Sequence, residues 1–302
     1  MKNNVIFACD IGGSKLLCGF VDDNGKIIDT QKAIFPQNYT IETIEEYIID
    51  FYNKLKLRNP ECSPYVCGMT IPGLADAKKG MWVYACFSGI GNYPIVERMG
   101  KKLQLPIYIE NDVNACALAE KVYGVCNDCE NYFWMTVSNG VGGAIVINGE
   151  VYGGAFGGAG EIGHVVVDEN SLICPCGHHG CVEAVAAGPA ISTRYEMMTG
   201  KKMTSAEISL LARNGEKDAI EIFEKTGEYI GKALGKAASF LNLERYVLGG
   251  GVMQSFDLME YKINEAFRKE AFASPNKDAV IVQTGLKYEA GLLGAAALTY
   301  NK

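Results

Sequence analysis

Three cysteines and all three histidines of this 302-residue chain crowd one short region. Cys174-Pro175-Cys176-Gly177-His178-His179-Gly180-Cys181 supplies three thiols, and His164 precedes them. Thiolates spaced so closely, with glycines that let the chain wrap an ion, are the donors of a tetrahedral Cys₃His zinc site. His178 and His179 sit inside the loop that Cys176 and Cys181 already clamp, so reaching the same ion strains them. His164 enters from outside and closes the tetrahedron without strain. Four protein ligands leave no open position, which makes such a site structural. Three inert buried thiols are the competing reading, and the density of cysteine around every histidine disfavours it. Cys126-Asn127-Asp128-Cys129 has no comparable pair nearby and reads as free thiols.

Three glycine turns offer a second chemistry. Asp10-Ile11-Gly12-Gly13-Ser14-Lys15 joins two apolar strands, and its adjacent glycines let backbone N–H groups converge on phosphate oxygens. Asp10 suits the metal that accompanies a nucleotide, with Ser14 and Lys15 as further donors. Ser138-Asn139-Gly140-Val141-Gly142-Gly143 occupies the matching place in a second strand pair. Gly249-Gly250-Gly251-Val252 follows another buried strand and suits a flat ring approaching bare backbone. Singly each is a tight hairpin; together they point to a nucleotide in an interdomain cleft.

Carboxylates supply the third. Ile109-Glu110-Asn111-Asp112 ends a buried strand where α/β sheets bind ligands, so Asp112 is a candidate general base for phosphoryl transfer. Helix capping by Asn111 or Asp112 is an equal alternative. Glu161 and Glu183 bracket the zinc loop, which would fix them around a small polyol; solvated surface charge is the plainer reading.

These residues need rigid elements. Val5–Asp10, Lys15–Val21 and Ile27–Ala33 read as strands, with a turn at Asp23-Asn24-Gly25. Ile41, Ile44, Ile48, Phe51, Tyr52 and Leu55 recur at helical spacing, predicting a helix over Thr43–Leu57 that Pro60 and Pro64 end. Strands follow at Tyr65–Ile71 and Pro106–Asn111, and helices at Ile95–Lys102 and Asn114–Tyr123. A second block, Asn131–Ile147, repeats the strand–turn–strand style of the first, which implies duplicated halves. A glycine-rich loop spans Tyr152–Gly163. A helix at Asp218–Leu241, strands at Tyr246–Leu248 and Ala279–Thr284, and an apolar helix at Ala290–Tyr300 complete an α/β protein of two lobes.

Composition narrows the function classes. A chain 48% hydrophobic and 21% charged is neither disordered nor fibrous. Its net charge of −7 argues against binding nucleic acid by phosphate neutralisation. No apolar run approaches the roughly 18 residues of a membrane span, and Met1–Cys9 lacks the h-region of a signal peptide. Eleven cysteines, an odd number without a secretory signal, fit a reducing cytoplasm.

Taken together, the motifs resemble the ROK family of repressors, open reading frames and sugar kinases. The most specific match is Gly160-Glu161-Ile162-Gly163-His164 with Cys174-x-Cys176-Gly-x-x-Gly-Cys181-x-Glu183, the family's zinc signature. Asp10–Lys15 resembles its first phosphate motif with Ser14 in place of threonine, Asn111-Asp112 its catalytic motif, and Gly249–Val252 its C-terminal glycines. The resemblance implies a two-lobed actin- and hexokinase-like ATPase fold with ribonuclease H-like duplicated lobes and an interdomain cleft. The smaller lobe would comprise residues 1–118 with 288–302, the last helix returning to it, and the larger lobe 119–287.

It further implies an ATP-dependent kinase that phosphorylates a hexose at the 6-OH, glucokinase-like, with fructose, mannose or N-acetylmannosamine as alternative acceptors. Asp112 would be the base. Asn111, Glu161, His164 and Glu183 would hold the sugar, His164 also joining Cys174, Cys176 and Cys181 on zinc. Asp10, Gly12, Gly13, Ser14, Lys15, Asn139, Gly140, Gly249 and Gly250 would handle Mg²⁺–ATP, and a homodimer is the assembly common in the family. Two positions depart from the pattern. Ser138-Asn139-Gly140 stands where Gly-Thr-Gly is usual, and Ala85–Asn92 lacks a sugar-contacting asparagine, leaving Ser88 or Asn92 as substitutes. A DNA-binding repressor would need a helix-turn-helix before the strand at Val5, for which the sequence leaves no room. A non-catalytic sugar-binding protein is the third reading.

Overall fold

The computed structural model describes residues 3–85, 89–286 and 289–300. Its contacts divide into two units: Met1–Asp128 with Gly154–Gly157 and Tyr288–Lys302, and Cys129–Gly153 with Gly158–Lys287.

The first unit is built on a five-stranded sheet. β1 (Asn3–Ile11), β2 (Lys15–Val21) and β3 (Ile27–Ile34) form an antiparallel meander, and β4 (Cys62–Ile71) and β8 (Ile107–Asn111) extend it in parallel, giving the order β3-β2-β1-β4-β8. The helix α1 (Ile41–Arg58) packs its apolar stripe of Ile44, Ile48, Phe51, Tyr52 and Leu55 into this unit's core. There the ring centroids of Tyr52 and Phe7 are 5.0 Å apart. β5 (Leu74–Asp76), β6 (Met81–Tyr84) and β7 (Gly91–Tyr93) make a small antiparallel sheet, and α2 (Ile95–Leu103) leads into β8. α3 (Asp112–Val122) and the helix Ala290–Ala297 pack on each other and on β4. α3 belongs wholly to this unit, and the contacts divide the chain at Asp128/Cys129.

The second unit repeats the plan. β9 (Tyr132–Val137), β10 (Val141–Ile147) and β11 (Glu150–Val151) form the meander, and β12 (Arg245–Gly249) and β13 (Val280–Gln283) add in parallel, in the order β11-β10-β9-β12-β13. Phe133, Met135, Tyr246 and Leu248 point into a core filled from the other side by α7 (Lys217–Leu241) and α8 (Glu260–Glu270). α4 (Val182–Ala186), α5 (Gly188–Thr199) and α6 (Ser205–Arg213) pack on α7.

Two boundaries differ from expectation. Pro64 lies inside β4 rather than ahead of it, because the ladder to β1 is bulged between Val5 and Ile6 beside it and pairing with β8 starts only at Cys67. A missing N–H is harmless there. The last helix ends at Ala297, and a tighter turn follows in which Tyr300 N–H donates to the Ala297 carbonyl. No helix among the described residues is long and apolar enough to cross a membrane.

Candidate functional site

In the first unit the carboxyl ends of three parallel strands meet. Asp10 of β1, Thr70 of β4 and Glu110 of β8 stand in register, a polar row near the carboxyl ends of these strands. Thr70 donates its hydroxyl to Asp10 Oδ1 at 2.9 Å. Burial raises the Asp10 carboxyl above its ordinary value, opposed by that hydrogen bond and by the Lys15 charge. Gly291 leaves the room Asp10 needs: a Cβ there would lie 2.6 Å from Asp10 Oδ2. After Asp10 the chain turns through Gly12, Gly13 and Ser14. Gly12 N–H donates to the Lys15 carbonyl at 2.8 Å, and the Tyr39 hydroxyl donates to the Gly13 carbonyl at 2.7 Å. Gly13, Ser14 and Lys15 are exposed, so the turn is free to receive a ligand.

The two readings of Asn111-Asp112 separate in the structure. Asn111 is the cap of α3: its Oδ1 accepts from Val113 N–H (2.9 Å) and Asn114 N–H (3.3 Å), and its Nδ2 donates to the Gly73 carbonyl at 2.8 Å. Glu110 in turn accepts from Asn111 N–H and Asn114 Nδ2. Asp112 follows the cap and accepts from Val113 N–H at 3.0 Å. Burial, and then the negative charge of Asp10, raise its carboxyl to about 6. A carboxylate so tuned takes up and gives back a proton near neutral pH.

In the second unit, the carboxyl ends of β9 and β12 bring two glycine turns side by side, because Thr136 pairs with Gly249. Ser138 and Gly140 close the β9–β10 turn by a 2.8 Å N–H to carbonyl bond, and the Ser138 carbonyl accepts from Gly188 N–H at the start of α5. Asn139 is exposed at its tip. Gly250, in the left-handed region at φ 95°, turns back toward the Val137 carbonyl.

A cluster of side chains that could hold a metal ion lies in the same unit. The ligand atoms of His164, Cys174, Cys176 and Cys181 all lie within 4.8 Å of one another. His164 Nδ1 is 3.7 Å from Cys174 Sγ, and Cys176 Sγ is 3.6 Å from Cys181 Sγ. Those separations match the edge of a tetrahedron around zinc, about 3.8 Å for Zn–S bonds near 2.3 Å. Cys3His donors at this spacing fit a metal ion. The backbone makes the cluster: Gly177 N–H closes a turn on the Cys174 carbonyl, and Cys174 N–H donates to the His178 carbonyl. His178 Nδ1 stands 3.5 Å from Cys176 Sγ, at the rim of the cluster, and His179 faces the Ser171 carbonyl.

Glu183, in the first turn of α4, accepts from Val141 N–H at 3.0 Å. Glu161 is exposed just ahead of the 3-10 turn Ile162–His164. Asn92 is an exposed residue of β7 at φ 50°, and Ser88 lies outside the described residues. Cys126 and Cys129 are buried. Thr70, Tyr39 and Gly291 are site-building residues that the motifs do not reveal, and Glu110 stands inside the Asn111-Asp112 motif without a role assigned to it there. Thr70 left a trace, a hydroxyl in the apolar run Met69-Thr70-Ile71.

Known proteins agree with this architecture. The ROK family model matches residues 6–302. A glucokinase of Halalkalibacterium halodurans is 29% identical, across 97% of this chain and 92% of its own length. The DNA-binding transcriptional dual regulator NagC of Escherichia coli is 26% identical, across 89% of this chain and 66% of its own. A solved ROK family glucokinase from Streptomyces griseus, in complex with glucose and AMPPNP, is 28% identical with a TM-score of 0.81, covering 97% of this chain and 98% of that one. With a family model spanning nearly its whole length and the fold of the family's kinases, this chain belongs to the ROK family.

Proposed function

We propose that the chain is an ATP-dependent sugar kinase that phosphorylates a hexose, the 6-OH of glucose being the leading acceptor. The observation that carries this reading is Asp112, whose carboxyl is raised to about 6 while Asn111 has taken over the capping of α3. In the step, the sugar oxygen attacks the γ-phosphorus and its proton passes to the Asp112 carboxylate. The bond from γ-phosphorus to the bridging oxygen breaks, and ADP leaves with the electron pair. Base catalysis of this kind contributes about 10²- to 10⁴-fold.

Asp10, Gly12, Gly13, Ser14 and Lys15, and in the second unit Asn139, Gly140, Gly249 and Gly250, are the residues assigned to the nucleotide. Magnesium, when bound, would be held by Asp10 on this reading and would neutralise phosphate charge. Asn111, Glu161, His164 and Glu183 are assigned to the sugar, and His164, Cys174, Cys176 and Cys181 to a structural zinc ion. Similarity to the glucokinases favours glucose over fructose, mannose or N-acetylmannosamine. Eleven cysteines suit a reducing cytoplasm on this reading.

The purified protein with Mg–ATP and a panel of hexoses should release ADP with at least one of them; no turnover with any sugar rejects the kinase reading. A sugar-responsive regulator is the second reading, favoured by the similarity to NagC. Specific, sugar-sensitive retardation of DNA in a gel at low salt would move the assignment there.

A further inference from the structure

We propose that the metal loop is a clamp on the β9–β10 turn, with Glu183 as its positioning residue. The geometry centres on Val141, the residue that leaves the turn and starts β10. Its N–H donates to Glu183 Oε2 at 3.0 Å, and Glu183 lies two residues past the ligand Cys181. Its carbonyl oxygen lies against Gly163, the residue before the ligand His164, so closely that a Cβ at 163 would overlap it. One residue is therefore gripped from both sides by the two flanks of the cluster.

Those flanks are tied to each other. Val182 N–H donates to the Val165 carbonyl at 3.0 Å. An ion held by His164 and Cys181 fastens the same two segments through their side chains. Glu183 also fills the space beside the turn, since a Cβ at Gly140 would lie 2.7 Å from its Oε2. A carboxylate accepting a backbone N–H makes a charge-assisted bond, stronger than a neutral one. One oxygen of Glu183 is thus committed to bracing the turn, a task separate from the sugar contact. The consequence for nucleotide binding rests on the kinase reading above; the bracing itself does not.

The test measures amide hydrogen exchange over residues 138–143 in the full metal-loaded chain. In E183A, exchange there should quicken by about tenfold, as expected for the loss of one such bond. In E183Q, whose side-chain oxygen still accepts, it should stay near wild type. Stripping the metal from wild type with a chelator should quicken the same segment, and should add little in E183A. Exchange unchanged in E183A, or protection of 138–143 that survives metal removal, overturns the clamp. If Glu183 serves only the sugar, Ala and Gln variants raise the sugar KM alike while exchange stays put, which also overturns it. Titration with Mg–AMPPNP separates the two claims. A weaker Kd in E183A than in E183Q joins clamp to nucleotide. A wild type that binds no nucleotide and phosphorylates no hexose, with the exchange pattern intact, removes the kinase reading and leaves the clamp standing.

Discussion

The two five-stranded sheets share one strand order and carry different chemistry at the same place in it. In the first unit the row across the parallel strands is Asp10–Thr70–Glu110, with Asp112 just beyond. In the second the corresponding row is Thr136–Gly249, with Gly142 on the antiparallel side. The first collects carboxylates whose proton affinity burial raises, and at Asp112 the charge of Asp10 raises it further. The second removes side chains and bares the backbone. Support differs as well: the first turn is held by Tyr39 and its own backbone, the second by Glu183 and the metal loop. A single duplicated frame thus carries a cluster of carboxylates in one unit and a braced glycine turn in the other. The lesson is that strand ends are interchangeable scaffolds whose few terminal residues set the electrostatics.

The comparison can be broken most sharply at Asp112. D112N should lower kcat for hexose phosphorylation by about 10²- to 10⁴-fold, roughly 3–5 kcal/mol in the barrier. Rates equal to wild type would deny the first unit its acid–base role. Since the base works deprotonated, wild-type kcat/KM should rise with pH through about 6. D10N, by removing a negative charge that raises Asp112, should move that limb to lower pH. Stability should change with the opposite preference. A carboxyl whose folded pKa is raised favours the fold when protonated, so wild type loses stability as pH rises from the ordinary carboxyl range through about 6. D112N should therefore unfold at a higher temperature than wild type above pH 6, with the gain vanishing below the ordinary carboxyl range; a differential scan at both pH values checks it.

The next largest effect belongs to the second unit. C181S removes one ligand of the cluster and should reduce bound zinc from about one ion per chain, by elemental analysis, to a small fraction. The unfolding temperature should fall by roughly 5 °C or more. Retained zinc would shift the ion to another donor set. G291A probes the first unit again, because the added Cβ would press on the Asp10 carboxylate. Overpacking there should cost about 1–3 kcal/mol in urea unfolding and should weaken nucleotide affinity, whereas full stability would show that Asp10 has slack. The smallest effect is expected for Y39F, which loses the 2.7 Å bond to the Gly13 carbonyl. A loss of about 1 kcal/mol in nucleotide binding, with the sugar KM unmoved, would identify the brace of the first turn.

Much of the frame was legible beforehand. β1, β2, β9 and β10 stood out as short apolar runs bounded by turn residues, and α1 and α7 because their apolar residues recur at helical spacing. The small sheet of β5, β6 and β7 went unread, since its strands are too short for any period to register. α5 and α8 were missed for another reason. α5 opens on Gly188-Pro189 and mixes in Ser192, Thr193 and Thr199, while α8 buries only Ile263, Ala266 and Phe267. α6 did leave a readable signal in the capping box of Thr204 and Glu207.

The sequence alone determined which residue types are present at which spacing. Cysteines separated by glycines, paired glycines after apolar strands, and Asn-Asp at a strand end are local facts, because turns and metal loops are closed within a few residues. Tertiary structure decided what those residues are free to do. Whether Asn111 or Asp112 caps α3 depends on Glu110 and Gly73 around them. The proton affinity of Asp112 depends on burial and on Asp10, which stands on another strand. Glu183 reaches Val141 only because α4 packs against β10. Proton affinity and bond partners are set by neighbours in space, and those neighbours are far apart in the chain.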